Sequence, residues 1–322
     1  VHHRYVQRRD LEPTAPHRRS FVSPVDGSVQ CYGVRPPSMF RADRDYGLVL
    51  SLHGAGVEAI NQARAYSARH WTYVIAPTNR RPFGFDWEEW GRLNALASLD
   101  HAMESYRIDP GLVHLTGHSM GGHGTWHVGV TTPGRFGVLA PSAGWESFYS
   151  YGGAARPTGA VGRARAHSDT LNYLSNLAER GVYILHGDAD DNVPVTEGRN
   201  MFAAASEHTL DIEMHEEPGA GHWWDGDAAS GADCVDWNPM FQFMKRRRLD
   251  PWETDFHFRS PSPSYSAKHS FVTILSAETP NADVEVHSQL ADTVVTIETT
   301  NVRSLAIDGG QHRWPRLTSL EG

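Results

Sequence analysis

One stretch constrains the architecture of this chain more than any other: Thr116-Gly117-His118-Ser119-Met120-Gly121-Gly122. It has the form Gly-x-Ser-x-Gly. The run before it, Leu112-Val113-His114-Leu115, is short, apolar and strand-like, and a helix-compatible stretch follows to about Thr132, where Pro133 stops it. A serine between a strand and a helix in this pattern sits on a sharp, strained turn. Glycine on both sides removes the side chains that would collide there. The hydroxyl of Ser119 is thereby pushed out at the carboxyl end of a sheet, with a helix N-terminus behind it. A plain glycine-rich turn is the competing reading, and the strand and helix on either side argue against it.

The rest of the chain supports such a sheet. Tyr46–Leu52, Trp71–Ala76, Val138–Ala143, Val182–Leu185 and Leu210–His215 are apolar runs of strand length. Continuous runs of this kind suit strands buried on both faces. Helical patterns lie between them: Gly56 to about His70, Glu88–Arg107, a stretch marked by Leu171, Leu174, Leu177 and Ala178, and Thr196–His208. In the second of these, Leu96, Leu99, Met103 and Tyr106 fall on one helix face. Asn238-Pro239 opens a further helix, and Lys245-Arg246-Arg247-Arg248 suits the negative end of its dipole. Alternating strands and helices imply an α/β fold with a mostly parallel sheet covered on both faces. Phe21–Arg35 reads as a pair of strands turning at Val25-Asp26-Gly27-Ser28.

The flanks differ in texture. Residues 1–20 are basic and predict a loose arm or edge extension. After Pro251 the helical pattern gives way to short strands at Phe271–Leu275, Val284–Val286, Thr293–Ile297 and Ser304–Ile307, which predict a small C-terminal β module. The expected organisation is an arm over 1–20, a catalytic domain over 21–250 and the β module over 251–322. The start, Val1-His2-His3-Arg4, has neither an initiator Met nor a signal-like apolar core, which predicts a removed leader or an excised piece.

Net charge is −9 over 322 residues. With no basic stripe, nucleic acid is not an expected partner. No apolar run approaches the ~18 residues of a membrane span. Cys31 and Cys234 could pair in an oxidising compartment, but their spacing decides nothing. There are 10 tryptophans, which serve a core or an aromatic cleft equally well.

A serine hydroxyl needs a neutral imidazole to take its proton and a carboxylate to hold that imidazole. His186-Gly187-Asp188-Ala189-Asp190-Asp191-Asn192-Val193-Pro194 leaves the end of a core strand, where catalytic groups collect in such sheets. It offers three acids: Asp188, Asp190 and Asp191. Gly219-Ala220-Gly221-His222-Trp223-Trp224 follows the last core strand, and its glycines clear space around His222. The N–H of Met120, the residue after the serine, is the expected first half of an oxyanion hole. His53-Gly54-Ala55-Gly56 lies after an early strand; a phosphate cradle is a weak reading there, since no Gly-Lys-Ser/Thr follows. His123 and His127 stand i, i+4 apart, but no Glu follows the first as in His-Glu-x-x-His, and no metal or other cofactor is expected.

These motifs together, His-Gly-x-Gly, Gly-His-Ser-Met-Gly-Gly, His-Gly-x-x-Asp-x-x-Val-Pro and Gly-x-Gly-His, resemble the α/β-hydrolase superfamily. Within it they are most similar to prolyl-oligopeptidase-like esterases and peptidases. The resemblance covers about residues 46–250. It implies an α/β-hydrolase fold and a triad of Ser119, Asp190 and His222. It also implies that Ala55 supplies the second oxyanion donor. Trp145, Trp223 and His118, with Trp126, Trp224 and the aromatic loop from Phe83 to Trp90, are candidates for an aromatic acyl or sugar pocket. Core packing is the alternative for about half of such residues.

The expected activity is carboxylic ester hydrolysis through an acyl-enzyme. The substrate class could be polymeric, with acetyl or feruloyl esters of cell-wall polysaccharide preferred. The expected location is secreted or periplasmic. A prolyl-oligopeptidase-like peptidase is the rival enzyme. Such peptidases usually carry a large upstream β domain and an anchor for the peptide amine, and neither shows in the sequence. A non-catalytic hydrolase-fold binding protein would typically lack a triad member, and all three are present.

Overall fold

The computed structural model describes residues 14–80 and 86–309. The strands and helices, in chain order, are β1 (His17–Val22), β2 (Val29–Arg35), β3 (Tyr46–Leu52), α1 (Ala59–Arg64), β4 (Thr72–Pro77), α2 (Glu89–Ser105), β5 (Ile108–His118), α3 (Met120–Thr131), β6 (Val138–Ser142), α4 (Gly159–Ala164), β7 (Gly181–Gly187), α5 (Val195–Ala205), β8 (Ile212–Glu217), α6 (Asp233–Asp236) and α7 (Asn238–Lys245). The C-terminal segment adds β9 (Phe256–Ser260), β10 (Lys268–His269), β11 (Val272–Ala277), β12 (Val284–Ala291), β13 (Val294–Thr300) and β14 (Val302–Ile307).

Eight strands form one sheet in the order β1-β2-β4-β3-β5-β6-β7-β8. From β4 through β8 every neighbour is parallel, while β1 and β2 add an antiparallel edge. This is the α/β-hydrolase fold. The central strands β3, β4, β6 and β7 are buried along their whole length, which is why they read as unbroken apolar runs. One core cluster, including Leu48, Leu50, Leu115, Val128 and Leu139, fills one side of the sheet. A second, including Val49, Val74, Tyr183, Phe241 and Phe243, fills the other.

Several elements differ from the expected ones. The basic arm is an edge strand from His17 onward; residues 1–13 lie outside the described residues. Helix α1 spans only Ala59–Arg64, because the chain after it turns aside to Asp236. There the backbone N–H of Ser67 donates to Asp236 Oδ2 at 2.9 Å, and Arg69 pairs with the same carboxylate. The segment Thr170–Leu177 is a 3₁₀ helix, not an α-helix. Its buried residues include Thr170, Tyr173 and Asn176, and Leu174 and Leu177, a three-residue repeat that fits the 3₁₀ turn. Helix α2 faces the sheet with Ala95, Ser98, Leu99 and Ala102. Leu96 and Met103 pack at the edge of that face.

After α7 the chain builds two three-stranded antiparallel sheets, β10-β11-β14 and β13-β12-β9. They share a small core of Phe256, Phe258, Phe271, Val272, Ile274, Val284 and Val286. Strand β9 alternates buried and half-buried residues, the period of a strand with one covered face. This unit is tied to the large sheet's helices. Asn176 exchanges two hydrogen bonds with the backbone of Arg259, both 2.8 Å, and the Tyr265 hydroxyl meets His127 Nε2 at 2.5 Å. Cys31 and Cys234 are both free thiols.

Candidate active site

Ser119 lies between β5 and α3 with φ 60° and ψ −119°. A non-glycine residue in that region is strained, and strain of this kind is held only where the surroundings enforce it. Here the enforcement is visible. A Cβ on Gly121 would stand 1.8 Å from the carbonyl oxygen of Leu52, and one on Gly117 would stand 2.3 Å from that of Gly121. The Ser119 N–H donates to the Ser142 carbonyl on the neighbouring strand at 2.9 Å, and its own carbonyl accepts from Gly122 and His123 at 2.8 and 3.0 Å. Serine at a helix N-cap usually spends its hydroxyl on capping. Ser119 makes no such side-chain bond.

Asp190 leaves β7 on the loop before α5 and is 8 % exposed. Its Oδ1 accepts the backbone N–H groups of Asn192 and Val193, both at 2.9 Å. Its Oδ2 accepts from His222 Nδ1 at 2.8 Å. Burial alone would raise this carboxyl. Hydrogen bonds from His186, His222 and the two backbone groups outweigh burial and hold it well below the usual carboxylate range. Of the three acids, Asp190 is therefore the one that meets His222. Asp188 instead accepts the Gly219 N–H at 2.6 Å, which pins the loop that carries His222.

His222 is held against the turn by His118. The His118 Nε2–H donates to the His222 carbonyl at 2.7 Å, and the two rings lie 4.8 Å apart. Burial, reinforced by His222, pushes His118 down to about 3, so the ring is neutral and carries its proton on Nε2. His118 is thus buried under the site. Trp145 is also buried, stacked between His123 at 5.2 Å and Tyr151 at 4.4 Å. Trp223, edge-on to His118 at 5.3 Å, is 53 % exposed and can meet a ligand. Trp126 is buried, and Phe83 lies outside the described residues. Nothing in the spacing of the chain announces the part played by His118; only packing reveals it.

The loop His53-Gly54-Ala55-Gly56 reaches the serine. A Cβ on Gly54 would lie 3.4 Å from Ser119 Cβ, so the backbone of Ala55 follows directly beside the turn. The His53 carbonyl accepts from Trp87 Nε1 at 3.1 Å, which fixes the loop from behind. Met120 begins α3, so its N–H belongs to the unpaired first turn of a helix, where negative charge is favoured.

Among the described residues, two groups of side chains could ligate an ion: buried Asp86 and His123 with half-buried Glu88, and the more exposed Asp225, Asp227 and Asp233. His127, the i+4 neighbour of His123, meets the Tyr265 hydroxyl through its Nε2.

A strained serine at a strand–helix turn of a mostly parallel sheet, with a histidine–aspartate pair joined to that turn through His118, defines an α/β-hydrolase of the serine hydrolase superfamily. Residues 81–246 match the prolyl oligopeptidase family, and the chain belongs to that family. An uncharacterised secreted protein of Arthroderma benhamiae is 26 % identical over 330 residues, covering 90 % of this chain and 34 % of that protein. Dipeptidyl-peptidase 5 of Porphyromonas endodontalis is 22 % identical, covering 73 % of this chain and 37 % of that protein. The chain thus spans about a third of the length of these curated relatives. A thermostable esterase of solved structure shares the fold with a TM-score of 0.52 and 19 % identity, over 72 % of this chain and 63 % of that one. Among the described residues, no helix is long and apolar enough to cross a membrane.

Proposed function

We propose that the protein hydrolyses carboxylic esters through an acyl-enzyme on Ser119. His222 takes the Ser119 proton as the hydroxyl oxygen attacks the ester carbonyl. Asp190 holds the imidazole with Nδ1 protonated, so that Nε2 is the basic nitrogen, and it stabilises the imidazolium that forms. The backbone N–H groups of Met120 and Ala55 receive the oxyanion. His222 returns its proton to the departing alkoxide, and water then enters by the reverse route to release the acid. The observation that carries this reading is the 2.8 Å bond from His222 to a carboxylate whose other oxygen is fixed by two backbone donors. A carboxylate so committed serves to orient a base.

Trp223 supports the choice of ester. An exposed indole beside the base offers a flat apolar face to an aromatic acyl group or a sugar ring. Acetyl or feruloyl esters of polysaccharide fit that face, and export from the cell fits both such a polymer and the likeness to a secreted fungal protein. Peptide hydrolysis is the second reading, favoured by the family and by the dipeptidyl-peptidase relative. The test compares kcat/KM on matched ester and amide substrates of one acyl group, with Ser119→Ala as the blank. The ester is expected to be the better substrate by more than the factor that leaving-group chemistry alone gives in buffer. A larger specificity for prolyl or other peptide bonds refutes the esterase reading. Activity retained by Ser119→Ala refutes the triad.

A further inference from the structure

We propose that Asp86, Glu88 and His123 form a structural site for one divalent transition-metal ion, zinc by geometry, which ties the segment before α2 to the helix that follows Ser119. The proposal is independent of which acyl substrate the enzyme takes. His123 Nε2 faces Asp86 Oδ2 at 3.3 Å and Glu88 Oε1 at 3.5 Å. Zinc bonds of about 2.0–2.2 Å in a tetrahedron set neighbouring ligand atoms roughly 3.3–3.5 Å apart. A six-coordinate ion of magnesium size would set them at about 3.0 Å. Imidazole also selects a transition metal over magnesium or calcium.

The ligating atoms are buried and face one another at ion-pair distance. Asp86 is 2 % exposed and its Oδ1 has no partner; Asp86 Oδ2 and Glu88 Oε1 meet only His123 Nε2, as an ion pair without hydrogen-bond geometry. Buried polar atoms are seldom left this way. The remaining atoms of two of the same side chains are committed. His123 Nδ1–H donates to the Trp145 carbonyl at 3.1 Å, and Glu88 Oε2 accepts from Ser168 Oγ at 2.6 Å. Metal-bound histidines are held in this way, with the far nitrogen on a carbonyl and the near one left as the ligand.

Charge points the same way. Two buried carboxylates against one imidazole leave an uncompensated negative charge even when the ring is protonated. A divalent ion with a neutral imidazole cancels both carboxylates, and the displaced Nε2 proton leaves to solvent. Water completes the coordination. The turn that presents the acids is itself constrained, with Asp86 at φ 63° and Trp87 buried between them, donating to His53. The ion would therefore hold the Trp87 turn, and through it the His53-Gly54-Ala55 loop beside Ser119. Asp86, Glu88 and His123 remain distinct from the groups that transfer protons.

The test is zinc uptake by the intact protein. Protein freed of metal by a strong chelator is titrated with zinc against a chromophoric competitor, and its metal content is measured by mass spectrometry. We expect about one zinc per chain, a melting temperature that rises with zinc, and visible bands of a four-coordinate centre when cobalt replaces zinc. Glu88→Gln and His123→Gln should each weaken zinc binding at least ~100-fold. Glu88→Gln can keep the Ser168 bond through its side-chain oxygen, so it separates loss of a ligand from loss of the fold. His257→Ala, on an unrelated surface of the C-terminal sheets, should bind as wild type does. Uptake below ~0.1 equivalent in the folded wild-type protein would overturn the site. So would equal uptake in wild type and Glu88→Gln, which would place the metal elsewhere.

Discussion

Replacing Asp190 by asparagine tests the site more sharply than removing the nucleophile, because it changes a tautomer and leaves the shape intact. Two backbone donors, Asn192 and Val193, lie 2.9 Å from one oxygen of Asp190. In Asp190→Asn the amide oxygen must remain on them, since the amide nitrogen has nothing to accept with. The amide N–H then faces His222 Nδ1, where the carboxylate oxygen lay at 2.8 Å. Two donors cannot meet, so Nδ1 gives up its hydrogen and becomes the acceptor. The proton moves to Nε2, the nitrogen that must take the Ser119 proton. A wrong tautomer of this kind costs ~10⁴-fold in kcat, about 5.5 kcal/mol. Asp188→Asn can keep the exposed bond from the Gly219 N–H on its amide oxygen, and we expect a loss below ~10-fold. The assay is kcat on a chromogenic short-chain ester, normalised to active serine by phosphonate titration. If Asp190→Asn stays within ~10-fold of wild type, or Asp188→Asn is as damaging, the tautomer argument and the assignment of Asp190 both fail.

The elbow and the buried histidines give two further predictions. Gly121→Ala places a Cβ 1.8 Å from the Leu52 carbonyl; it should cost ~3 kcal/mol or more, or prevent folding, and a wild-type melting temperature would show that the turn is not this tight. Burial pushes His114 and His118 down to about 3, below the ~6.5 of an unfolded histidine. Their contribution to stability is thus complete above that unfolded value and is lost as the pH falls toward the folded one. Between about pH 4 and 6 each binds roughly one proton on unfolding, so these two alone should lower stability by ~2.7 kcal/mol per pH unit on acidification, and His127, which burial also pushes down to about 3, adds to that slope. Denaturant midpoints measured across that range check it, and a flat series contradicts it.

The parts of the fold that the sequence announced were those with one dominant physical demand. A strand buried on both faces has to be largely apolar, and Tyr46–Leu52 and Val182–Leu185 read that way. The turn at Ser119 needs glycine at fixed places because backbone crosses backbone there. Where two demands compete, pattern alone misleads. In α2 the spacing of Leu96, Leu99, Met103 and Tyr106 suggested the buried face; Leu99 lies on it, yet the helix otherwise approaches the sheet through Ala95, Ser98 and Ala102. Small residues permit the closer approach, and the larger ones pack around the margin. Strand β9 shows the period of two in Phe256 and Phe258, a signal that so short a run hides.

The candidate site divides along the same line. Ser119, His222 and the acid loop each sit at the end of a strand, so chain order and glycine spacing locate them. Choosing Asp190 over Asp188 and Asp191 needs the backbone conformation of the loop, which turns two N–H groups onto one oxygen. His118 needs more still, since its bond to the His222 carbonyl joins two loops that follow different strands. Asp86, Glu88 and His123 are the extreme case. The histidine has its nearest sequence partner at His127, and the helix does set those rings 6.1 Å apart, tilted to each other. The acids reach it from the turn before α2, which Trp87 anchors to the His53 carbonyl. A ligand set assembled by one buried tryptophan leaves no spacing for a motif to record. Two carboxylates converging on one buried imidazole are therefore the signal that identifies it.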